Sequence, residues 1–205
     1  MEYELSFFDF DYEEMRKLLR QKGGKMIHKM TLYKATYFQL CGEDNFKKGM
    51  MRIRDENGQV TLTTKKFGAK FPEEYEVNIE ETFEEIEKIL VKAGLEAKLE
   101  TKKYREKWSF PGCNEIVFDL WPGLPIVMEI DCTSKEALNK TCAKLGLDTK
   151  DGVCGSKTMH LYGIKEPEGT VSFSNYKKVF KPIIKKNAKL LGSLTKKYYQ
   201  QFVDM

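Results

Sequence analysis

Arginine residues alternate with apolar residues in the segment Met51–Lys66, MRIRDENGQVTLTTKK. Because successive side chains of a β-strand point to opposite faces, Arg52 and Arg54 fall on one face of a strand. The turn Asp55–Gly58 contains Asn-Gly, the strongest short-range signal for a hairpin, and Lys65 lies on the strand that returns. Several cations on one sheet face bind an anion such as phosphate, for which arginine offers paired donors. The alternative is the solvated basic face of an ordinary sheet.

Charged residues of like sign recur at alternate positions in other segments. Lys103, Arg105 and Lys107 alternate within Ala97–Phe110. Acidic residues alternate in the same way in three pairs, which are Glu2 and Glu4, Glu74 and Glu76, and Glu129 and Asp131. Like charges on one strand face repel each other, and a bound divalent cation would relieve paired carboxylates. The recurrence favours a charged binding surface, since an apolar core would need valine, isoleucine or leucine at these positions.

Hydrophobic periodicity indicates the elements that must position these residues. The expected helices are Tyr12–Lys22, Thr82–Ala93, Ser134–Leu145 and a long basic helix at Ser174–Phe202. Thr82 and Glu85 match the capping box that begins a helix. The expected strands are Met1–Phe10, Lys25–Leu40, the two arms of Met51–Lys66, Glu74–Ile79, Ala97–Phe110, Glu115–Leu120, Ile126–Asp131 and Lys157–Gly163.

The expected fold class is α+β. About eight strands with charged inner faces favour a closed antiparallel β-barrel, or tunnel, because a barrel of that size holds side chains or one small ligand. The helices would pack outside the barrel, with a further helix at the C-terminus. We expect a single domain over residues 1–205, in which residues 174–205 form a basic helical segment.

The composition argues against a nucleic-acid surface. The 205 residues carry 35 lysines and arginines against 31 aspartates and glutamates, a net charge of +4. This balance suits cations that face carboxylates better than a basic patch. The five cysteines include no CxxC pair, so we expect reduced thiols in a cytoplasmic compartment, and neither a disulfide framework nor a zinc site. No signal peptide or apolar run of spanning length is visible, so we expect no membrane contact.

In their order along the chain, the charged pairs resemble the motifs of the CYTH-domain family, the triphosphate tunnel metalloenzymes. The family includes thiamine triphosphatases, inorganic tripolyphosphatases and class IV adenylyl cyclases. Its opening Glu-x-Glu-x-Lys is similar to Glu2–Ser6, its Arg-x-Arg strand to Arg52–Arg54, and its Thr-x-Lys strand to Thr63–Lys65. Further similarities, from Glu2 to about Phe180 in all, lie at Glu74–Glu76, Lys103–Arg105, Asp119, Glu129–Asp131 and Lys157.

The resemblance implies a hydrolase that attacks the terminal phosphate of inorganic tripolyphosphate, thiamine triphosphate or a nucleoside triphosphate. The residues it implies for substrate binding are Arg52, Arg54, Lys65, Glu74, Glu76, Lys103, Arg105 and Lys157. The ligands it implies for Mg²⁺ or Mn²⁺ are Glu2, Glu4, Asp119, Glu129 and Asp131. The catalytic residues it implies are Arg54, Asp119 and Glu129. Oxygen ligands suit these hard cations, and catalysis would consist of positioning and charge neutralisation at phosphorus.

Ser6 departs from the family, which keeps a phosphate-contacting lysine at this position. Lys34 or Lys66 could supply the missing cation from a neighbouring strand. Two other functions stay open. One is a class IV adenylyl cyclase that makes cyclic AMP from ATP, and the other is a non-catalytic module that binds polyphosphate or a nucleotide.

The expected partner is a small-molecule triphosphate, bound by a monomer or a homodimer. Nucleic acid is not expected, with the exception of an RNA 5′-triphosphate end that the basic helix Ser174–Phe202 could contact. The apolar stripe of that helix favours packing on the barrel mouth instead, with its lysines on a solvated face.

Overall fold

A computed structural model describes residues 3–8, 10–40, 48–66, 73–121, 126–153 and 169–171. Its helices are α1 (Tyr12–Gln21), α2 (Phe83–Lys92) and α3 (Lys135–Lys144). Its strands are β1 (Tyr3–Phe7), β2 (Lys25–Gln39), β3 (Gly49–Glu56), β4 (Gln59–Lys66), β5 (Glu73–Ile79), β6 (Glu96–Ser109), β7 (Cys113–Leu120), β8 (Val127–Cys132) and β9 (Gly169–Val171).

Hydrogen bonds connect eight of the strands in the order β1-β8-β7-β6-β2-β3-β4-β5, and β9 pairs in parallel with β6. The predicted α+β class, with eight antiparallel strands and accompanying helices, is therefore confirmed. The closure of the sheet into a barrel stays a prediction. The short strand β9 was not expected from the sequence, since three residues are too few to show periodicity.

Several predicted features lie outside the described residues. They are the metal ligand Glu2, the substrate-binding Lys157, the strand Lys157–Gly163 and the basic helix Ser174–Phe202. None of the described helices is both long enough and apolar enough to cross a membrane.

The described chain forms two compact units, and each is taken by itself. The first unit draws its residues from Met1–Thr31 and Tyr104–Glu166, and the second from Leu32–Lys103 and Pro167–Ser172. In the first unit, α1 and α3 contribute to an apolar core with the sheet. Its fully buried residues include Leu19, Trp108, Phe118, Ile130 and Cys142.

Helix α1 is joined to β6 by a buried carboxylate, Glu106, which is 1% exposed. Tyr12 Oη and Arg16 Nε donate to it at 3.0 Å each, and Trp108 Nε1 donates at 2.7 Å. Burial and the neighbouring carboxylate raise the pKa of Tyr12, so the phenol stays a donor. Three donors satisfy a charge that would otherwise be costly to bury. Glu106 therefore has a structural role.

The second unit contains the predicted hairpin. Asn57 and Gly58 have φ values of 56° and 82°, as the type I′ turn between β3 and β4 requires. Helix α2 packs on the apolar face of this sheet, with Phe38, Ile53 and Phe83 in the core. The predicted capping box at its start is confirmed. The Thr82 hydroxyl accepts a hydrogen bond from the backbone N–H of Glu85, and the Glu85 carboxylate accepts one from the backbone N–H of Thr82.

The expectation of reduced thiols throughout is wrong for two cysteines in the structure. Cys113 on β7 and Cys132 on β8 are partners in the strand register, and their sulfurs form a disulfide. Sequence spacing did not reveal the pair because the antiparallel pairing of two strands brings the residues together. Cys142 on α3 is a free thiol in the core.

Candidate functional site

The predicted cations of the second unit share one sheet face. Arg52 lies opposite Thr63 on β4, and Thr63 lies opposite Glu76 on β5. Lys65 lies opposite Glu74 in the same register. Directly opposed residues of neighbouring strands point to the same side. We call this surface the cation face, and its charged members are Arg52, Arg54, Lys65, Glu74 and Glu76.

Two carboxylates bridge the three cations of the cation face. Glu76 Oε1 lies 2.8 Å from Arg54 Nη2, and its Oε2 lies 3.5 Å from Arg52 Nη2. Glu74 Oε2 lies 2.9 Å from Lys65 Nζ, and its Oε1 lies 3.9 Å from Arg52 Nη2. The five charges thus leave one cation in excess on a partly buried surface. Such a surface favours an anion with several oxygens.

Threonine hydroxyls orient the two arginines. Thr61 Oγ1 accepts a hydrogen bond from Arg54 Nε at 2.8 Å. Thr63 Oγ1 accepts from Arg52 Nη2 at 3.3 Å and donates to Glu76 Oε2 at 2.6 Å. Thr61 was not predicted as a site residue, although its alternation with Thr63 and Lys65 was a signal that all three share a face.

Arg52 is the most enclosed cation of this face. Burial alone would lower its pKa, but Tyr33, Tyr37 and Glu74 raise the pKa overall, so the guanidinium stays charged. Its Nε is buried and makes no hydrogen bond within the described part of the chain. Lys103 is also buried, with its Nζ 4.6 Å from the centroid of the Tyr33 ring. The two tyrosines, which lie four residues apart on β2 and therefore on the same face, were not predicted.

Lys34 and Lys66, which were expected to offer a cation in place of the family lysine, lie on the other side of this sheet. Lys34 is opposite Asp55, and Lys66 is opposite Glu73. Asp55 follows Arg54 and Lys66 follows Lys65, so these positions point away from the cation face. Lys34 Nζ lies 2.5 Å from Glu84 Oε1 at the start of α2. Neither lysine therefore belongs to the cation face.

The first unit has a sheet face of mixed charge. In its register Glu4 lies opposite Asp131, and Ser6 lies opposite Glu129. Asp131 lies opposite Glu115 on β7. We call this surface the acidic face, and its charged members are Glu4, Arg105, Lys107, Glu115, Asp119, Glu129 and Asp131.

Asp119 is bonded to Arg105 by both carboxylate oxygens. Arg105 Nε donates to Oδ1 at 2.7 Å, and Nη2 donates to Oδ2 at 2.8 Å. Both residues are buried, with 4% exposure for Asp119 and 6% for Arg105. This bidentate pair holds the guanidinium in one orientation. The structure therefore gives Asp119 a positioning role toward Arg105, and its predicted metal and catalytic roles stay predictions.

Glu115 is a member of the acidic face that was not predicted from the sequence. Its Oε2 lies 2.5 Å from Lys107 Nζ, and its Oε1 lies 3.6 Å from Arg105 Nη1. The signal was its position four residues before Asp119, which puts both carboxylates on the same side of one strand. Glu115 and Asp119 together hold Arg105 and Lys107, the two cations that β6 contributes to the acidic face.

Partial burial disfavours the ionised form of the Asp131 carboxyl group. Asn114 Nδ2 donates to its two oxygens at 3.2 and 3.1 Å. Burial raises the pKa of Asp131, the Asn114 hydrogen bond lowers it, and the charge of Glu115 raises it further. A cation bound beside this group would stabilise its ionised form.

The acidic face contains carboxylate oxygens, which are the type of ligand that a hard divalent cation prefers. Glu4, Glu129 and Asp131 supply the carboxylates that Mg²⁺ and Mn²⁺ prefer. The described residues contain no group of three or more histidine, cysteine, aspartate or glutamate side chains close enough to hold a metal ion. Glu2, the other predicted ligand, lies outside those residues.

Ser6 lies on the acidic face and is 1% exposed. Its backbone N–H donates to Val153 O at 2.8 Å, and its carbonyl accepts from Val153 N at 2.9 Å. Its Oγ is buried and makes no hydrogen bond to any described residue. The position at which the family keeps a lysine therefore carries a short neutral hydroxyl inside the sheet.

A model of the CYTH domain matches residues 1–153. Among solved structures, a candidate adenylate cyclase from Vibrio parahaemolyticus aligns with a TM-score of 0.65 at 14% identity, over 75% of this chain and 93% of that chain. A conserved hypothetical protein from Pyrococcus furiosus aligns with a TM-score of 0.59 at 20% identity, over 75% and 95%. A protein from Pyrococcus horikoshii aligns with a TM-score of 0.55 at 26% identity, over 72% and 92%. None of the curated proteins matches this sequence.

Proposed function

The chain belongs to the CYTH-domain family, and from this membership we propose that it is a divalent-metal-dependent hydrolase of a triphosphate-containing substrate. The substrate would be inorganic tripolyphosphate, thiamine triphosphate or a nucleoside triphosphate, with attack at the terminal phosphorus. The observation that carries the proposal is the cation face, on which Arg52, Arg54 and Lys65 are held by only two carboxylates.

The cation face would bind the phosphate chain. Arg52 and Arg54 present planar forks that match phosphate oxygens, and Lys65 adds a point charge. Glu74 and Glu76 space the cations before the substrate binds, so that little reorganisation is needed when phosphate oxygens approach. Thr61 and Thr63 on the neighbouring strand fix the orientation of the two guanidinium groups through their hydrogen bonds.

Taken by itself, the acidic face carries the predicted phosphate ligand Arg105 and the predicted metal ligands Glu4 and Asp131. Arg105 is already oriented by Asp119, and its Nη1 faces Glu115 at 3.6 Å. Glu4 and Asp131, with Glu2, would hold Mg²⁺ or Mn²⁺, which when bound supplies charge neutralisation at the phosphate oxygens. Glu129, with Asp119, would orient the attacking water or a second ion.

Two other functions are tested by the same experiment. The fold is shared with the candidate adenylate cyclase from Vibrio parahaemolyticus, which makes cyclic AMP formation from ATP the second activity to assay. The neutral Ser6 supports a binding module without turnover, since a cation is missing at its position.

The test is phosphate release by the full-length protein from tripolyphosphate, thiamine triphosphate, ATP and a 5′-triphosphorylated RNA. Each substrate is assayed with Mg²⁺ and with Mn²⁺, and cyclic AMP is measured in the ATP samples. Glu4→Gln and Arg54→Ala are the test variants, and Lys66→Ala is the matched control on the other side of the sheet. We expect release that both test variants abolish and that the control retains. Cyclic AMP without phosphate release would make the protein a cyclase, and metal-dependent binding without turnover would make it a binding module.

A further inference from the structure

We propose that Cys113 and Cys132 form a reversible dithiol–disulfide site, and that oxidation by a low-molecular-weight disulfide fixes the strand geometry around Asp131. The proposal goes beyond the proposed function and does not depend on it. It rests on the strand register, the burial of the two sulfurs and the side chains that adjoin them.

The pair lies at an irregularity of the sheet. The pairing of β7 with β8 shifts between Cys113 and Glu115, so Asn114 is the extra residue of a β-bulge. Cys113 precedes Asn114 along the chain, and Cys132 follows Asp131. A covalent bond between the cysteines therefore lies directly next to the two residues that are joined by the Asn114–Asp131 hydrogen bonds. Asn114 has no register partner on β8, as is usual for the extra residue of a bulge. The disulfide therefore holds β7 to β8 at the place where the regular strand pairing is interrupted.

Both redox states of the pair find a hydrogen-bonding partner in Thr141 of α3. Its Oγ1 lies 3.3 Å from Cys113 Sγ and 3.8 Å from Cys132 Sγ, and the residue is 2% exposed. A hydroxyl can donate to a disulfide sulfur, and the same oxygen can accept from a thiol. Reduction therefore does not leave a buried polar group without a partner, which is what a reversible site requires.

The two sulfurs differ in access, and this sets the order of the exchange. Cys113 is partly buried, whereas Cys132 and Cys142 have no exposed surface. The Cys113 sulfur attacks the small disulfide and releases one small thiol, which leaves a mixed disulfide. The Cys132 sulfur then displaces the second small thiol and closes the bond. The protein loses two electrons and two protons, and the small disulfide takes both and leaves as two thiols.

The cysteine composition agrees with a reactive pair. The odd number of cysteines and the absence of CxxC spacing predict a reducing compartment. In such a compartment a disulfide is usually transient, catalytic or redox-sensing. The structure places only two of the three described cysteines together, and Cys142 stays a free thiol beside them on α3.

The test is differential alkylation of the full-length protein after equilibration in mixtures of reduced and oxidised glutathione. Free thiols are trapped with one reagent and oxidised ones, after reduction and unfolding, with another, and each cysteine peptide is identified by mass spectrometry. We expect the labelling of Cys113 and Cys132 by the thiol reagent to fall together as the proportion of oxidised glutathione rises. Dithiothreitol should restore the labelling of both. Cys142 is the internal control and stays a thiol throughout. Independent behaviour of the two cysteines, retention of both thiols at every ratio, or stable mixed disulfides with glutathione would overturn the proposal.

Hydrogen exchange tests the link to Asp131. The peptides that contain Asn114 and Asp131 should exchange their amide hydrogens faster in the reduced protein than in the oxidised one. The Cys113→Ser variant should show the fast exchange under both conditions, and the Cys142→Ala variant should behave as the wild type. Equal exchange in the two redox states would remove the link even if the disulfide forms. No substrate enters either measurement, so a failure here is independent of the hydrolase proposal.

Discussion

Arg105 and Asp119 face each other across β6 and β7, and two parallel hydrogen bonds of 2.7 and 2.8 Å join the guanidinium to both carboxylate oxygens. Both side chains are buried. Removing one partner of a buried ion pair leaves an uncompensated charge, which costs far more than the pair itself contributes. The stability of the first unit therefore depends on Asp119, in addition to any role in catalysis.

We expect Asp119→Ala to lower the free energy of unfolding by about 3–5 kcal/mol, the usual cost of breaking a buried pair. Denaturant unfolding followed by circular dichroism measures it. The matched control is Glu136→Ala, which deletes a carboxylate from the exposed pair with Lys140 and should change the midpoint little. The double variant Arg105→Met with Asp119→Leu should recover most of the loss. An unchanged midpoint for Asp119→Ala would contradict the buried-pair account.

Helix α2 yields a prediction about pH. The pKa of Glu85 is lowered by the Thr82 hydroxyl and then by the Thr82 backbone N–H, both of which donate to its carboxylate. A group whose pKa is lower in the folded state adds stability above its unfolded pKa, and that stability is lost as the pH falls through the folded pKa. We expect wild type to be more stable than Glu85→Gln at neutral pH, with the difference vanishing on acidification below the ordinary value of 4.5. Unfolding midpoints across that pH range measure it, and a difference that persists at low pH would show that charge is not the cause.

Local patterns were enough to predict the cation face. Alternation alone puts Arg52 and Arg54 on one side, and the Asn57–Gly58 turn sets how β4 returns beside β3. The same alternation put Glu74 and Glu76 on one side of β5. These inferences use neighbours in the sequence, for which the period of two is reliable.

The pairing of distant strands could not be predicted in this way. The partner of Asp119, the contacts of Glu115 and the meeting of Cys113 with Cys132 all depend on the register of β6, β7 and β8, and on a bulge at Asn114. A shift of one residue would reverse every side chain of a strand. For the same reason the sequence did not show that Lys34 lies opposite Asp55 on the other side of the sheet.

Thr61 offers a test of arginine orientation with little change in shape. Valine is close to threonine in size and cannot accept the hydrogen bond from Arg54 Nε. Loss of a hydrogen bond to a charged group costs about 1.5–3 kcal/mol, and about 1.4 kcal/mol corresponds to a tenfold change in an equilibrium constant. We expect Thr61→Val to lower the free energy of unfolding and, because Arg54 loses the acceptor that orients it, to raise the KM for tripolyphosphate about tenfold. Thr64→Val, on the other side of β4, is the control, and equal effects of the two substitutions would refute the orienting role.

Lys65 and Lys66 are adjacent in sequence and lie on opposite sides of β4. A comparison of their alanine variants therefore distinguishes binding at a specific site from general attraction of an anion to positive charge. Lys65 Nζ lies 2.9 Å from Glu74 on the cation face, whereas Lys66 is opposite Glu73. Either lysine-to-alanine substitution removes one unit of charge from the same strand. If phosphate oxygens bind at the cation face, Lys65→Ala should weaken tripolyphosphate binding about tenfold, and Lys66→Ala should leave it unchanged. Isothermal titration calorimetry at two salt concentrations measures both, because attraction by net charge alone is screened by salt. Equal weakening by the two variants would mean that the anion responds to overall charge, and the cation face would then lose its claim as the binding site.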